Sequence, residues 1–362
     1  MDLESKLRIA TRDVEEVITL DELKTLLETG GGSGYLGFEP SGIFHVGWFV
    51  WALKFKDLVD VGIKMNLLAA TWHAWINDKL GGDLRLINVA AKHVFKVLDS
   101  LGIEGRYKVV YAEELVSDPD YWATLLKSGK AVSLARVKRA LTIMGRKADE
   151  GESDFSKLIY PLMQVTDIFK LGVDVALGGT DQRKAHMLQR DVAEKLGLKK
   201  VIAIHTPLIP SLQGYGKMDF SKVSKEDIDE FLAEYKMSKS KPESTIFITD
   251  TDEEIRSKVM KAYCPPKIVE GNPVIELAKH LIFRGEEREF IIERPAKYGG
   301  PIEIHTQEEL IKTYSEGKIH PLDLKKAVAE YLIKFITPIR NNVLSDPEVK
   351  ALLEEIKASV TR

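Results

Sequence analysis

At 362 residues the chain is long enough for two domains with cores of their own, and 44% hydrophobic with 30% charged residues is the balance of a soluble globular protein. A formal charge of −3 excludes a generally basic surface, so any nucleic-acid binding must come from local patches. The single cysteine, Cys264, excludes an internal disulfide and a cysteine-based zinc site and fits a reducing cytoplasm; no apolar run reaches membrane-spanning length, and Met1–Ser5 lacks the layout of a signal peptide.

Residues 1–29 predict an amphipathic helical lead-in, with Val14, Val17, Leu20, Leu23 and Leu26 at three-residue intervals. The glycine-rich run from Gly30 to Gly34 ends that pattern and feeds a strand at Tyr35–Glu39. A tight turn at Pro40-Ser41-Gly42 follows, then a helix entered near His45 whose apolar face is Val46, Phe49, Val50 and Leu53. Gly47 is costly inside a helix and makes sense where something must approach the backbone closely. Such a strand–turn–helix corner can present backbone N–H groups to a phosphate.

Lys64–Ala70 and Lys108–Tyr111 read as buried strands, the first ending in Thr71-Trp72-His73-Ala74-Trp75. Strands alternating with helices predict a doubly wound parallel sheet of Rossmann-like α/β type, with ligands at the strands' carboxyl ends. The Lys130–Lys147 segment carries Lys130, Arg136, Lys138, Arg139, Arg146 and Lys147 among apolar residues, either a solvated face or an insertion for oligomer or RNA contact.

At Tyr160–Gln182, Pro161 suits a helix's first turn, Leu162, Val165 and Phe169 form its apolar stripe, and Tyr160, Gln164 and Asp167 line up on another face. A strand at Val173–Leu177 leads to Gly178-Gly179-Thr180-Asp181-Gln182, with Thr180 as N-cap of the next helix. Lys236-Met237-Ser238-Lys239-Ser240 is a lysine-rich loop of small residues, suited to closing over phosphates; Lys217–Lys222 carries Asp219 and Phe220 and is rejected for that role. From Asp252 onward the texture is helical: Asp252–Tyr263, Val274–Arg284, Thr306–Ser315 and Pro321–Ile339. The expected division is a catalytic domain over 1–245, with an insertion at about 112–158 and the lysine loop at 236–240, and a mainly α-helical domain over 246–362.

These stretches occur in the order found in class I aminoacyl-tRNA synthetases. More closely, Tyr35-x-Gly37-x-Glu39-Pro40-Ser41-Gly42, Tyr160-Pro161-x-Met163-Gln164-Val165-x-Asp167 and Gly178-Gly179-x-x-Gln182-Arg183-Lys184 resemble the tyrosyl-tRNA synthetase family of archaeal and eukaryotic type. Further matches are Ala262-Tyr263-Cys264-Pro265, Glu270-Gly271-Asn272-Pro273 and His320-Pro321-Leu322-Asp323-Leu324-Lys325, so the likeness spans nearly the whole chain.

The resemblance implies an ATP-dependent ligase that joins L-tyrosine to tRNA(Tyr) by way of tyrosyl-adenylate, with Mg²⁺ accompanying ATP. It implies that Tyr35 and Asp167 hold the substrate phenol, that Tyr160, Gln164 and Gln182 surround its amino group and backbone, and that Gly37 and His73 belong to the same pocket. ATP would meet His45, Gly47, Lys236, Met237, Ser238, Lys239 and Ser240, with His45, Lys236 and Lys239 as the catalytic groups and no residue assigned to a metal. Arg183 and Lys184 would meet the acceptor stem, and Tyr298, His320 and Asp323 the anticodon.

The family is a cytoplasmic homodimer, with the 130–147 insertion at or near its interface. Two positions depart from the pattern: Trp48 stands where the His-x-Gly-His signature ends in histidine, and Thr71 where the family often has aspartate. A tryptophanyl enzyme and a non-catalytic RNA-binding paralogue are the alternatives. Asp167 and Tyr35 argue against the first, and the lysine loop with His45 against the second.

Overall fold

The computed structural model describes residues 1–144, 154–214, 235–239 and 241–360, with side chains to residue 356. Arg146, Lys147, Ser240 and the rejected Lys217–Lys222 segment lie outside the described residues. The chain divides into two compact units: Met1–Gly42 with Trp51–Pro207 and Asp346–Arg362, and Ile43–Val50 with Leu208–Ser345.

That division differs from the expected boundary at 245/246, and local bonding explains the difference. Residues 43–50 join the second unit because Val46 N donates to Ile246 O at 2.8 Å and Ile248 N donates to Phe44 O at 3.1 Å. The C-terminal helix Pro347–Val360 joins the first, where Lys92 Nζ lies 2.9 Å from Glu348 and Lys96 Nζ 3.2 Å from Asp346.

In the first unit, β1 (Glu16–Ile18), β2 (Ser33–Phe38), β3 (Lys64–Ala69), β4 (Lys108–Tyr111), β5 (Val175–Gly179) and β6 (Ile202–Thr206) form one sheet in the order β1-β6-β5-β2-β3-β4. All neighbours are parallel except β1, which runs antiparallel along β6. The sheet is therefore the expected Rossmann-like α/β type. The chain winds outward from β2 to β4, then returns to β5 on the other side of β2. The carboxyl ends of β2 and β5 thus form the switch point where open α/β sheets take their ligands.

Three local expectations change. The lead-in is not one helix: Leu3–Thr11 and Leu20–Glu28 flank β1, and Thr19 starts the second helix with a capping box to Glu22. The helix carrying Tyr160 begins earlier, at Phe155, with Asp154 as its cap, so Pro161 sits inside it rather than in its first turn. Thr180 does not cap the helix Arg183–Leu196; it opens a short 3₁₀ turn, Thr180–Gln182, and its buried hydroxyl has no hydrogen-bond partner among the described residues.

The turn after β2 behaves as expected. Gly42 takes φ +133°, a backbone state that side-chain-bearing residues avoid. Beneath the sheet, Lys54 and Asp57 are each 1% exposed and 3.1 Å apart. Arg12 forks onto both oxygens of Asp57, at 3.1 and 2.5 Å, while Lys54 Nζ donates to the carbonyls of Ile9 and Ala10 at 3.0 and 3.3 Å.

The second unit contains the expected helices at Asp252–Lys261, Pro273–Leu277 with its continuation to Phe283, Gln307–Ser315 and Pro321–Leu344. It also has an antiparallel pair that the sequence reading lacks, β7 (Phe290–Ile292) and β8 (Ile302–Ile304). Two quoted motifs meet here. Asn272 caps the helix at Pro273 and its side-chain amide lies 3.5 Å from the sulfur of Cys264, itself 8% exposed and 3.2 Å from the Tyr314 hydroxyl.

Candidate functional site

In the first unit the predicted pocket residues converge at the switch point. Tyr35 on β2 is 1% exposed, and burial together with the charge of Asp167 pushes its hydroxyl well above the usual phenol range, against an opposing hydrogen bond with Gln164. Gly37, two residues further along β2, lies beside the same ring: a Cβ there would be in ordinary contact, 3.4 Å from Tyr35 Cε2. Tyr160, Gln164 and Asp167 share a helix face as expected. Gln164 Nε2 donates to Gln182 Oε1 at 3.3 Å, joining that face to the turn after β5.

Asp167 is the electrostatic centre. It is 2% exposed, and burial pushes its carboxyl up to about 7 despite the opposing bond from Tyr121. Tyr121 Oη donates to Oδ1 at 2.8 Å, while Oδ2 lies 3.3 Å from His73 Nε2. Burial lowers His73 to about 4, so its ring is neutral; neither nitrogen is aligned for a hydrogen bond among the described residues. Such orphaned buried polar atoms, one donor and one acceptor in a neutral ring, are the kind that a ligand satisfies.

Glu39, at the end of β2, shapes the opposite side. Tyr160 Oη donates to Glu39 Oε1 at 2.5 Å, and Asn77 Nδ2 donates to both Glu39 oxygens at 3.0 and 3.2 Å. Tyr160 thereby spends its proton, and its oxygen is left to accept from an ammonium group. Thr71, the second departure, donates from Oγ1 to Glu113 Oε2 at 2.8 Å. A carboxylate thus stands one hydrogen bond from the position where the family often carries one.

Sequence reasoning missed Tyr121, Asn77, Glu113 and the work of Glu39. Glu39 stood inside a quoted motif, and its place at a strand's carboxyl end was the available signal. Tyr121 offered none, being one aromatic in an ordinary helix, Pro119–Lys130.

The Tyr121 bond has a measurable consequence. Since Tyr121 occupies Oδ1, a proton added to Asp167 goes to Oδ2 and removes the carboxylate's remaining acceptor. If L-tyrosine, the substrate the resemblance implies, rests its hydroxyl on that oxygen, its binding followed by calorimetry should weaken as pH falls through about 7. Tyr121→Phe removes a bond that lowers the Asp167 pKa, so its break should move to higher pH; an unmoved break would refute the coupling. For stability the sign is reversed. Asp167 holds its proton more tightly folded than the ordinary 3.8 allows, so its contribution falls as pH rises from about 4 to about 7. His73, lowered from 6.5 to about 4, contributes the opposite slope over nearly the same window.

In the second unit, His45 caps the turn Val46–Trp48 and is 4% exposed, with Nδ1 buried and unpartnered among the described residues. Burial, then the charges of Lys239 and Lys236, hold its pKa well below the ordinary value, so it is a neutral donor rather than a cation. Gly47 is where the close approach falls: a Cβ would stand 3.1 Å from His45 Nδ1 and 3.4 Å from Met237 Cβ. Met237 N donates to Ile209 O at 2.8 Å, and Thr245 Oγ1 donates to Ser238 O at 2.6 Å, anchoring the lysine segment on either side.

Arg183, in the first unit, donates through Nε to Glu16 on β1 at 2.5 Å, and the same carboxylate meets His205 Nδ1 at 2.8 Å; Lys184 beside it is half-buried. In the second unit Tyr298 is 62% exposed, and His320 caps the helix Pro321–Leu344, bringing Asp323 into its first turn. Arg294 donates to the carbonyls of Gly300 and Lys318, tying the Tyr298 turn to the segment before His320. Among the described residues no three His, Cys, Asp or Glu are grouped to hold a metal ion, and no helix is long and apolar enough to cross a membrane.

Comparison with known proteins bears on this arrangement. The model of the family described as tRNA synthetases class I (W and Y) matches residues 32–230 and 228–337. A tyrosine–tRNA ligase of Aeropyrum pernix is 55% identical, covering 100% of this chain and 99% of the relative. One of Saccharolobus solfataricus is 52% identical over the same shares. The crystal structure of tyrosyl-tRNA synthetase from Pyrococcus horikoshii, complexed with L-tyrosine, superposes with a TM-score of 0.89 at 43% identity, over 98% of this chain and 100% of that one. The buried phenol–carboxylate pair, the shared polar helix face and full-length identity above one half lead to one conclusion: the chain belongs to the archaeal-type tyrosyl-tRNA synthetases, within the class I tRNA synthetases.

Proposed function

We propose that this chain activates L-tyrosine with ATP to tyrosyl-adenylate and transfers the tyrosyl group to the terminal ribose of tRNA(Tyr). The observation that carries the reading is Asp167, a buried carboxylate held by Tyr121 beside the buried phenol of Tyr35. A substrate hydroxyl can donate to one and accept from the other. Tyr160, its own proton committed to Glu39, accepts from the substrate ammonium, with Gln164 and Gln182 alongside. Gly37 and His73 complete the phenol side. Relatives named as tyrosine ligases favour tyrosine over tryptophan as the amino acid.

The tyrosine carboxylate attacks the α-phosphorus; the bond to the bridging oxygen breaks, and pyrophosphate leaves with the electron pair. No covalent enzyme intermediate is required, so the rate comes from alignment and from charge stabilisation. Lys236 and Lys239 supply positive charge to the leaving pyrophosphate, and neutral His45 donates a hydrogen bond to a phosphate oxygen. Gly47, Met237 and Ser238 supply backbone beside the nucleotide, Ser240 is assigned to ATP from the sequence alone, and Mg²⁺ enters as part of the ATP substrate.

Arg183 and Lys184 meet the acceptor stem, while Tyr298 stacks on an unpaired anticodon base flanked by His320 and Asp323. Leu134 is 60% exposed, and Trp122, Leu126 and Phe155 in the flanking segments are 44%, 71% and 74% exposed, which supports a homodimer interface at or near residues 130–147. The lone, buried Cys264 fits a cytoplasmic setting.

Amino-acid-dependent exchange of pyrophosphate into ATP tests the reading. Tyrosine should support it and tryptophan should not. Lys236→Ala should slow exchange by about 10²–10³, the usual cost of one charge-stabilising donor, with tyrosine affinity unchanged. Exchange supported equally by tryptophan would refute the substrate assignment.

A further inference from the structure

Trp48 is the one position of the His-x-Gly-His signature that this chain does not share, and the structure gives it an occupation. The Lys239 ammonium lies over the indole, 3.7 Å from the ring centroid. The ring itself is held: Phe44 meets it edge-on at 5.4 Å and 89°, and His45 lies tilted against it at 5.4 Å and 46°. Gly47, between His45 and Trp48, carries no side chain, and the space a Cβ would need is bordered by His45 and Met237. The lysine segment therefore lies against this turn, its backbone anchored by Ile209 and Thr245.

A lysine tip has four rotatable bonds to lose before it can act at a fixed point. An indole face attracts the ammonium through its quadrupole without neutralising the charge, so a phosphate can still take the ammonium over. Neither a protonated nor a neutral imidazole offers this: the first repels the ammonium, and the second presents a smaller face.

We infer that Trp48 is a positioning residue that holds the Lys239 ammonium beside His45, ready for the phosphates of the nucleotide. The inference rests on the assignment of Lys239 to pyrophosphate stabilisation made above. It predicts that Trp48→Leu lowers kcat/KM for ATP in tyrosine-dependent pyrophosphate exchange by about three- to thirtyfold, the range of a cation–π contact. Trp48→Phe, which keeps an aromatic face, should recover most of that loss, and the Kd for tyrosine should stay at the wild-type value in both. In a Lys239→Ala background, Trp48→Leu should make no further difference. Equal losses in the Phe and Leu variants, or a Leu effect undiminished without Lys239, would overturn the inference.

A readout that needs no catalysis separates the two readings. With the five tryptophans replaced by 5-fluorotryptophan, the Trp48 fluorine resonance is identified by its absence in Trp48→Phe. Lys239→Ala should shift that resonance, and an unshifted line would sink the contact. If the wild-type chain showed no tyrosine-dependent exchange, the functional reading would fail while the fluorine shift still decided this one.

Discussion

Asp167→Ala is expected to collapse the preference for tyrosine over phenylalanine by at least about 10³ in kcat/KM. The family is itself the standard example of hydroxyl recognition, at about 10⁵ against phenylalanine, so the scale is the family's and not one this geometry yields. What the geometry adds is the route. Removing the carboxylate strands the Tyr121 hydroxyl, which donates to it at 2.8 Å, and takes away the acceptor facing Tyr35 and His73. Phenylalanine loses nothing by the change, having no hydroxyl to place. Asp167→Asn keeps the shape and one acceptor oxygen but gives up the charge, so about ten- to a hundredfold of the discrimination should go. Near-normal discrimination in the alanine variant, measured by exchange with each amino acid, would remove Asp167 from the pocket.

The second large effect concerns stability and lies away from the chemistry. Asp57→Ala takes away the buried carboxylate that lies 3.1 Å from the Lys54 ammonium, itself 1% exposed, and that receives the Arg12 fork. Breaking a buried pair in this way costs about 3–5 kcal/mol. For a unit of roughly 200 residues that is a fall in Tm on the order of 10 °C. The pair's net worth is a different quantity. Lys54→Met and Asp57→Leu combined with Arg12→Met removes all three charges at similar volume, and should recover most of the lost Tm. If the combined variant melts as low as the single one, the penalty is not that of a stranded charge.

Much of the site was legible because its signals are local. The spacing of Tyr160, Gln164 and Asp167 follows from helical geometry alone, and the Pro40–Gly42 turn and the lysine loop each announce themselves within a few residues. What stayed hidden depends on partners far apart in the chain. Tyr121 is 46 residues from Asp167, and Glu39 is 121 from Tyr160, so neither bond leaves a periodic trace. β1 has three residues, too few to display a two-residue alternation, and its pairing with β6 is purely tertiary. The C-terminal helix reads as part of the helical half; its packing on the helix Leu84–Leu98, with ion pairs to Lys92 and Lys96 more than two hundred residues earlier, places it in the first unit. The fold class survived these misses because alternation of strand and helix is coarse, whereas unit boundaries hang on a few long-range bonds.

The buried thiol of Cys264 has a practical side. Its sulfur is enclosed between Tyr314 and Asn272, and it is the sole cysteine of the chain. A cysteine placed at an exposed position such as Leu198 or Ile268 would then be the one readily alkylated group, so spectroscopic reporters can be attached singly on an otherwise native background. Two such cysteines would carry a pair of dyes without first engineering the natural residue away.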